Sequence, residues 1–111
     1  MHRDRTYLLD IFDSAKLAVN YLAEISLEEF KHNMPLQDAV IRRIEIIGEA
    51  ANRISKELKN RYNYLPWNEM KGMRNLLIHE YDEIDLKNVW NTVKNDLPRL
   101  IEEVDQILKT F

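Results

Sequence analysis

Residues 74–81 carry the side chains of this sequence that are best suited to chemistry. Arg74, Asn75, His79 and Tyr81 lie close together there. A histidine with a pKa near its ordinary value of about 6.5 takes up or releases a proton at neutral pH. An arginine holds a phosphate through paired hydrogen bonds and stabilises charge that grows in a transition state. These groups suit phosphodiester cleavage in RNA by a metal-free attack of the 2′-hydroxyl.

The spacing of these residues restricts how they can meet. Asn75 and His79 are four positions apart, so they share a face of a continuous helix. Arg74 and His79 are five apart, or roughly 140° around an ideal helix. We therefore expect either that the helix loosens near His79 or that two copies of the segment face each other across a dimer axis.

A purely structural interpretation also explains this segment. Glu80, Asp82 and Glu83 stand close to the arginine and the histidine along the chain and could pair with them. Tyr81 could close one end of a helical bundle with its hydroxyl in water. Spacing alone does not decide between these interpretations.

The composition limits the classes of function. A chain of 111 residues with 45% hydrophobic residues fits one domain over residues 1–111. Cysteine is absent and the histidines are not spaced as metal ligands, so we expect no metal site and no cofactor. No signal peptide and no apolar run of membrane-spanning length is present, and we expect a cytoplasmic protein without membrane contact.

The charge pattern points to local RNA contacts only. A net charge of -3 does not attract nucleic acid in bulk. Basic residues nevertheless dominate between Arg53 and Arg74, whereas the chain from Glu80 onward is acidic. Arg53 and Lys71 are therefore candidates for holding RNA phosphates. His2 and His32 lie in polar surroundings, and we expect both to be solvated.

The elements that must position residues 74–81 are helices. Apolar residues recur at helical spacing, and two glycines and three prolines leave little material for the turns of a strand-rich fold. We expect an all-α bundle of four to five helices. The predicted elements are a first helix over residues 5–24, a short capped turn from Ser26, a second helix over residues 35–60, a third from Pro66, and a last helix that Asp85 caps and Pro98 kinks.

The second helix is predicted to be central. Val40, Ile44, Ile47, Ala51, Ile54 and Leu58 form a heptad seam. Further apolar or small residues lie off that seam, so this helix should contact several neighbours and could also form a dimer surface. Trp67 and Trp90 fall at helical spacing, and we interpret both as core residues.

Several motifs resemble one family. Arg74-Asn75 followed by His79 and Tyr81 resembles the R-x4-H-x-Y motif of HepT-like ribonuclease toxins, which have a HEPN domain. Residues 47–50, Pro66-Trp67, residues 72–75 and residues 96–98 also resemble that family, in its order and over nearly the whole chain.

The resemblance implies a helical homodimer whose cleft joins two copies of the motif. It implies a metal-independent endoribonuclease toxin of a type II toxin–antitoxin pair, acting on an RNA such as tRNA or mRNA. Arg74 would bind the phosphate, His79 would serve as general base or acid, and Asn75 would orient the RNA or the imidazole. A minimal nucleotidyltransferase antitoxin would neutralise the toxin by AMPylation of Tyr81.

Two other functions stay open. The bundle could be a non-catalytic substrate-binding subunit of a nucleotidyltransferase, in which case His79 would not matter for growth. It could also be a plain dimerisation bundle, which only the heptad seam favours.

Overall fold

The computed structural model describes residues 3–73 and 85–111, which form helices joined by short turns. Their bounds are α1 Asp4–Tyr21, α2 Leu27–Lys31, α3 Met34–Arg53, α4 Lys56–Arg61, α5 Trp67–Gly72, α6 Leu86–Asn91, a π-helical turn Thr92–Asp96, and α7 Leu97–Leu108. No strand occurs within these two ranges. The all-α bundle predicted from the apolar spacing is confirmed.

The core lies between α1, α3 and α7. α1 packs against α3 and α7, and α3 also packs against α2 and α5. The predicted seam residues of α3 and α4 are all buried: Val40, Ile44, Ile47, Ala51, Ile54 and Leu58. The central position of α3 follows, because its apolar residues face more than one neighbouring helix.

The short turn after α1 has the predicted capping box. The Ser26 hydroxyl accepts a hydrogen bond from the Glu29 amide at 3.1 Å, and the Ser26 amide donates to the Glu29 carboxylate at 3.0 Å. This reciprocal pair satisfies two amides at the start of α2. The hydrogen bond from the Ser26 amide is the main cause that lowers the pKa of the Glu29 carboxyl below its ordinary value, and the Ser26 hydroxyl adds to it.

The prediction of one helix over residues 35–60 was wrong in its end point. α3 ends at Arg53, Ile54 adopts an extended conformation, and Ser55 caps a separate helix α4. The cause lies far away in the sequence. Asp4, at the first turn of α1, accepts hydrogen bonds from the Ser55 amide at 3.0 Å and the Ser55 hydroxyl at 2.6 Å. The Ser55 amide therefore bonds to Asp4 and not to the carbonyl of Ala51, as a continuing helix would require.

The last predicted helix also differs in detail. Asp85 caps its start as expected, accepting from the Asn88 amide at 3.1 Å. The break comes at the π-helical turn Thr92–Asp96, and Pro98 follows in the first turn of α7. At that position its missing N–H costs little. The wider turn before it relieves the clash that the Pro98 ring would make with a preceding carbonyl.

Both tryptophans are core residues, as predicted. The Trp67 indole is 7% exposed and donates to the Tyr62 carbonyl at 2.9 Å. The half-buried Trp90 donates to the Ile25 carbonyl at 3.1 Å. Each indole therefore ties its own helix to a turn of the bundle. Within residues 3–73 and 85–111, no helix is long and apolar enough to cross a membrane.

Replacing Asp4 by alanine should destabilise the protein by about 2–3 kcal/mol, because two hydrogen bonds from Ser55 to a buried charged group are lost. Chemical denaturation of the variant measures this loss. Asp13→Ala, at an exposed position of the same helix, should change the free energy of unfolding by less than about 0.5 kcal/mol. Equal losses in the two variants would contradict the role given to the Asp4 carboxylate.

Candidate functional site

The predicted catalytic residues Arg74, Asn75 and His79, and the predicted modification site Tyr81, lie outside the described residues. The structure does show the two elements that border them. α5 leads to Met73, directly before Arg74, and Asp85 is the first described residue after the segment. How these borders are held limits where the segment can lie.

α5 is firmly attached to the bundle. Trp67, Met70 and Met73 are buried and pack on the core around α3. The hydrogen bond from the Trp67 indole to the Tyr62 carbonyl ties the first turn of α5 to the end of α4. Because burial and hydrogen bonding both hold α5, the point where the chain enters residues 74–84 is well defined.

α6 is attached to a different part of the bundle. It packs against α2, and Val89 is fully buried. The Trp90 indole binds the Ile25 carbonyl just before α2. Lys94 donates to the Leu22 carbonyl at the end of α1. The segment with the candidate residues thus connects an element fixed on α3 to an element fixed on α1 and α2.

The two predicted phosphate-binding residues lie on different elements. Arg53 ends α3, is exposed, and lines a groove of about 250 Å³ with Tyr7, Asp10 and Glu49. Lys71 is exposed on α5. Lys71 is not among the residues that line the groove of Arg53. Neither forms an ion pair: in residues 3–73 and 85–111 the one ion pair joins Lys109 and Asp105.

Lys71 instead lies near a lysine that the sequence analysis did not select. Lys59, half-buried on α4, has a pKa below its ordinary value. Burial is the larger cause, the positive charge of Lys71 adds to it, and the Asp4 carboxylate partly opposes both. Lys59 belongs to the basic run of the sequence, but only the tertiary structure, which half-buries it on α4, could have selected it.

A second groove is more strongly acidic than the first. It has a volume of about 520 Å³ and lies between α5 and the start of α7. Glu69, Asp96 and Glu103 contribute carboxylates, against one cation from Arg99. Tyr64, 59% exposed, forms part of its wall. Three carboxylates against one cation give this groove a net negative charge, which disfavours phosphates.

A comparison with known families agrees with this helical architecture. Residues 11–107 match the family described as Ribonuclease HepT-like. The chain belongs to the HepT-like ribonuclease family. The predicted family membership is therefore confirmed, and the helical bundle described above is consistent with it.

Similar proteins occur in archaea. The chain is 40% identical over 101 residues to a Methanocaldococcus jannaschii protein named "Putative RNase", covering 91% of this chain and 93% of that protein. It is 40% identical over 108 residues to "Probable ribonuclease HepT" of Thermococcus cleftensis, covering 97% and 96% of the two chains.

One relative is longer. The chain is 42% identical over 110 residues to "Gamma-glutamylcyclotransferase and putative RNase" of Methanocaldococcus jannaschii. The match covers 98% of this chain but 50% of that protein, so the chain spans half the length of this relative. No solved structure matches the chain.

The charge of Lys71 should be measurable at Lys59. The positive charge of Lys71 disfavours the ammonium form of Lys59. Lys71→Gln removes that charge, so the pKa of Lys59 should rise toward its ordinary value. An NMR titration of the lysine ε-carbon and its protons measures the shift. Lys31→Gln, at an exposed lysine of α2, should leave the Lys59 titration unchanged. An unchanged Lys59 pKa in Lys71→Gln would show that the two ammonium groups do not interact.

Proposed function

We propose that this chain is a metal-independent endoribonuclease toxin of a type II toxin–antitoxin pair. The observation that carries the proposal is the order Arg74, Asn75, His79, Tyr81 in a chain that belongs to the HepT-like ribonuclease family. Its relatives are named as ribonucleases over nearly the full length of this chain.

The proposed reaction assigns one role to each side chain. The 2′-hydroxyl of the RNA attacks the adjacent phosphorus and gives its proton to a His79 imidazole that acts as base. The bond from phosphorus to the 5′-oxygen breaks, and that oxygen takes a proton from an imidazolium. The products are a 2′,3′-cyclic phosphate and a 5′-hydroxyl. Arg74 binds the phosphate and stabilises its growing charge, and Asn75 orients the RNA or the imidazole.

A homodimer would solve the spacing problem of the motif. Arg74 and His79 point roughly 140° apart on one ideal helix, so two copies facing each other would bring an arginine of one protomer near a histidine of the other. The fixed attachments of α5 and α6 support this proposal, because catalysis needs the reacting groups held in position. Arg53 and Lys71, which form no ion pair within residues 3–73 and 85–111, would hold further RNA phosphates.

The regulation we propose acts through Tyr81. A minimal nucleotidyltransferase antitoxin would transfer AMP from ATP to the Tyr81 hydroxyl, releasing pyrophosphate. The new phosphodiester adds negative charge and bulk two residues after His79. RNA would then be repelled and blocked from the cleft.

One observation favours a second candidate function. The acidic groove beside α5 ends at Met73, directly before the motif, and its charge suits a protein partner better than RNA. This arrangement would also fit a non-catalytic substrate-binding subunit of a nucleotidyltransferase. That function predicts tight binding of the partner and no cleavage of RNA.

The nuclease proposal predicts cleavage of total tRNA or of a defined RNA oligonucleotide in EDTA. Arg74→Ala and His79→Ala should each lower the rate by about 10²–10⁴-fold, because each removes a group that acts in the transition state. Gel analysis of the products, with identification of the cyclic phosphate, measures the reaction. His32→Ala is the matched control, since His32 is exposed in the turn before α3 and should not affect cleavage.

The modification state of the sample decides how an inactive preparation is interpreted. An intact-mass measurement on the same protein detects AMP on Tyr81. If unmodified, folded dimer leaves the RNA intact, the nuclease proposal is wrong and the binding-subunit function gains support.

The regulatory proposal predicts that Tyr81→Phe escapes neutralisation. With the nucleotidyltransferase and ATP present, the variant should keep cleaving RNA, because it lacks the hydroxyl that accepts AMP. Tyr21→Phe alters a tyrosine at the end of α1 that does not line the acidic groove, and this variant should still be neutralised. Neutralisation of Tyr81→Phe at the native rate would show that the antitoxin acts at another residue.

A further inference from the structure

The acidic groove between α5 and the start of α7 follows from how the helices pack. α5 packs on α3, whereas α7 packs on α1, and the groove of about 520 Å³ lies between them. The turn that leads into α5 is held in place, because the Tyr62 carbonyl accepts hydrogen bonds from the Leu65 amide at 3.1 Å and from the Trp67 indole at 2.9 Å. The groove is therefore a preformed feature of the fold.

The groove has an apolar surface at its mouth and at its base. Tyr64 is 59% exposed, and its ring packs edge-on against the ring of Tyr62 with the centroids 6.3 Å apart. Pro66 is exposed beside it. Three buried side chains line the base: Met70, Met73 and Leu100. An exposed aromatic ring with a fixed neighbour gives contact area at a low entropic cost, which is typical of protein-binding surfaces.

Carboxylates from three elements surround this apolar surface. Glu69 lies on α5, Asp96 in the π-helical turn and Glu103 on α7, and Arg99 is the one cation among the described residues of the lining. Arg99 precedes Glu103 by one turn of α7, but the two form no ion pair within residues 3–73 and 85–111. None of the three carboxylates is neutralised by an ion pair within those ranges, so the groove favours a cationic ligand.

The combination of apolar surface and carboxylates selects the occupant. RNA has the same sign of charge as the groove. Two copies of the groove that face each other across a two-fold axis would also bring carboxylates against carboxylates. A small cation would pair with the carboxylates but leave Tyr64 and the base of the groove uncovered. A protein segment with a cationic and an apolar side chain matches both parts of the surface.

We propose that this groove is a docking site for a short segment of a partner protein. The segment places a lysine or arginine among Glu69, Asp96 and Glu103, and an apolar side chain against Tyr64. The volume of about 520 Å³ is that of a site for a small ligand, so only a few side chains of the partner enter it. The proposal goes beyond the ribonuclease function and depends only on residues 64–73 and 95–103.

A library of random heptapeptides displayed on phage tests the chemistry of the occupant. Selection on the native protein, with counter-selection on Glu69→Lys/Glu103→Lys, retains peptides that need the groove. The retained peptides should share a lysine or arginine close to a large apolar residue. The most enriched peptide, synthesised with a fluorescent label, is then the probe for affinity measurements by anisotropy.

Charge variants separate the groove from the general charge of the surface. Glu69→Lys/Glu103→Lys should weaken binding of the labelled peptide at least about tenfold, because like charges then face each other. Asp38→Lys/Glu102→Lys has the same net charge and alters two exposed carboxylates outside the groove, so it should bind within about twofold of native protein. Arg99→Gln should strengthen binding about twofold, because it removes the opposing cation of the lining.

Tyr64 variants test the apolar part of the surface. Tyr64→Ala should weaken binding about fivefold, whereas Tyr64→Phe keeps the ring and should bind like native protein. Tyr64 and Arg99 are both exposed, so their variants test the proposal even if the double charge variant does not fold.

Four results would overturn the proposal. Retained peptides could lack a cation or an apolar residue, or the two double charge variants could lose affinity equally. Displacement of the labelled peptide by spermidine at matched ionic strength would assign the groove to a small cation. A changed oligomeric state of Glu69→Lys/Glu103→Lys in sedimentation would assign it to a second copy of the chain.

The same preparation separates this proposal from the nuclease proposal. If the native protein cleaves RNA but selects no basic and apolar peptide, the docking site is wrong and the nuclease stands. If it binds such a peptide through the groove and leaves RNA intact, the docking site stands and the nuclease fails.

Discussion

The arrangement of the whole bundle depends on the contact between Asp4 and Ser55. It ties the first turn of α1 to the start of α4, across fifty-one positions of the chain. The contact requires that α3 end at Arg53, which lets α4 turn away and places the Tyr62 carbonyl where the Trp67 indole reaches it. α5 is then held on α3, and Met73 brings the chain to the motif. A buried carboxylate with good hydrogen bonds is costly to disturb, so one contact between residues distant in the sequence helps to set the path of the chain into its candidate site.

α5 carries charges of both signs, and this difference organises the proposed function. Lys71 is an exposed cation on α5, whereas the groove near α7 collects carboxylates from Glu69, Asp96 and Glu103. With a net charge of -3, the protein as a whole does not attract RNA. Local fields decide the approach instead, and they decay over roughly 8–10 Å at ordinary salt concentrations. An RNA strand and a basic protein surface could therefore use neighbouring regions of the bundle without competing for one surface.

Sequence reasoning succeeded where a signal was local. The capping box at Ser26, the cap at Asp85 and the buried seam of α3 each depend on residues a few positions apart, and the structure confirms all of them. It was wrong in extending the second helix through residues 54–60. It also placed the break of the last helix at Pro98, whereas the break is a π-helical turn before that residue. The first error arose because Asp4 binds Ser55 from a distant part of the chain, and the residues around Ser55 give no sign of this contact. The second came from a π-helical turn, which apolar spacing does not distinguish from an α-helical one because the register shifts by a single residue.

The sequence by itself determined the all-α class, the family and the candidate chemical groups Arg74, Asn75, His79 and Tyr81, because residue type, helical spacing and motif order are properties of neighbours along the chain. Arg53 and Lys71 were also selected from the sequence, but the sequence did not show whether they act together. Only the tertiary structure decided that Arg53 lines its own groove and that Lys71 has Lys59 beside it. The physical reason is that electrostatic interaction depends on distance in space, and the tertiary fold sets that distance.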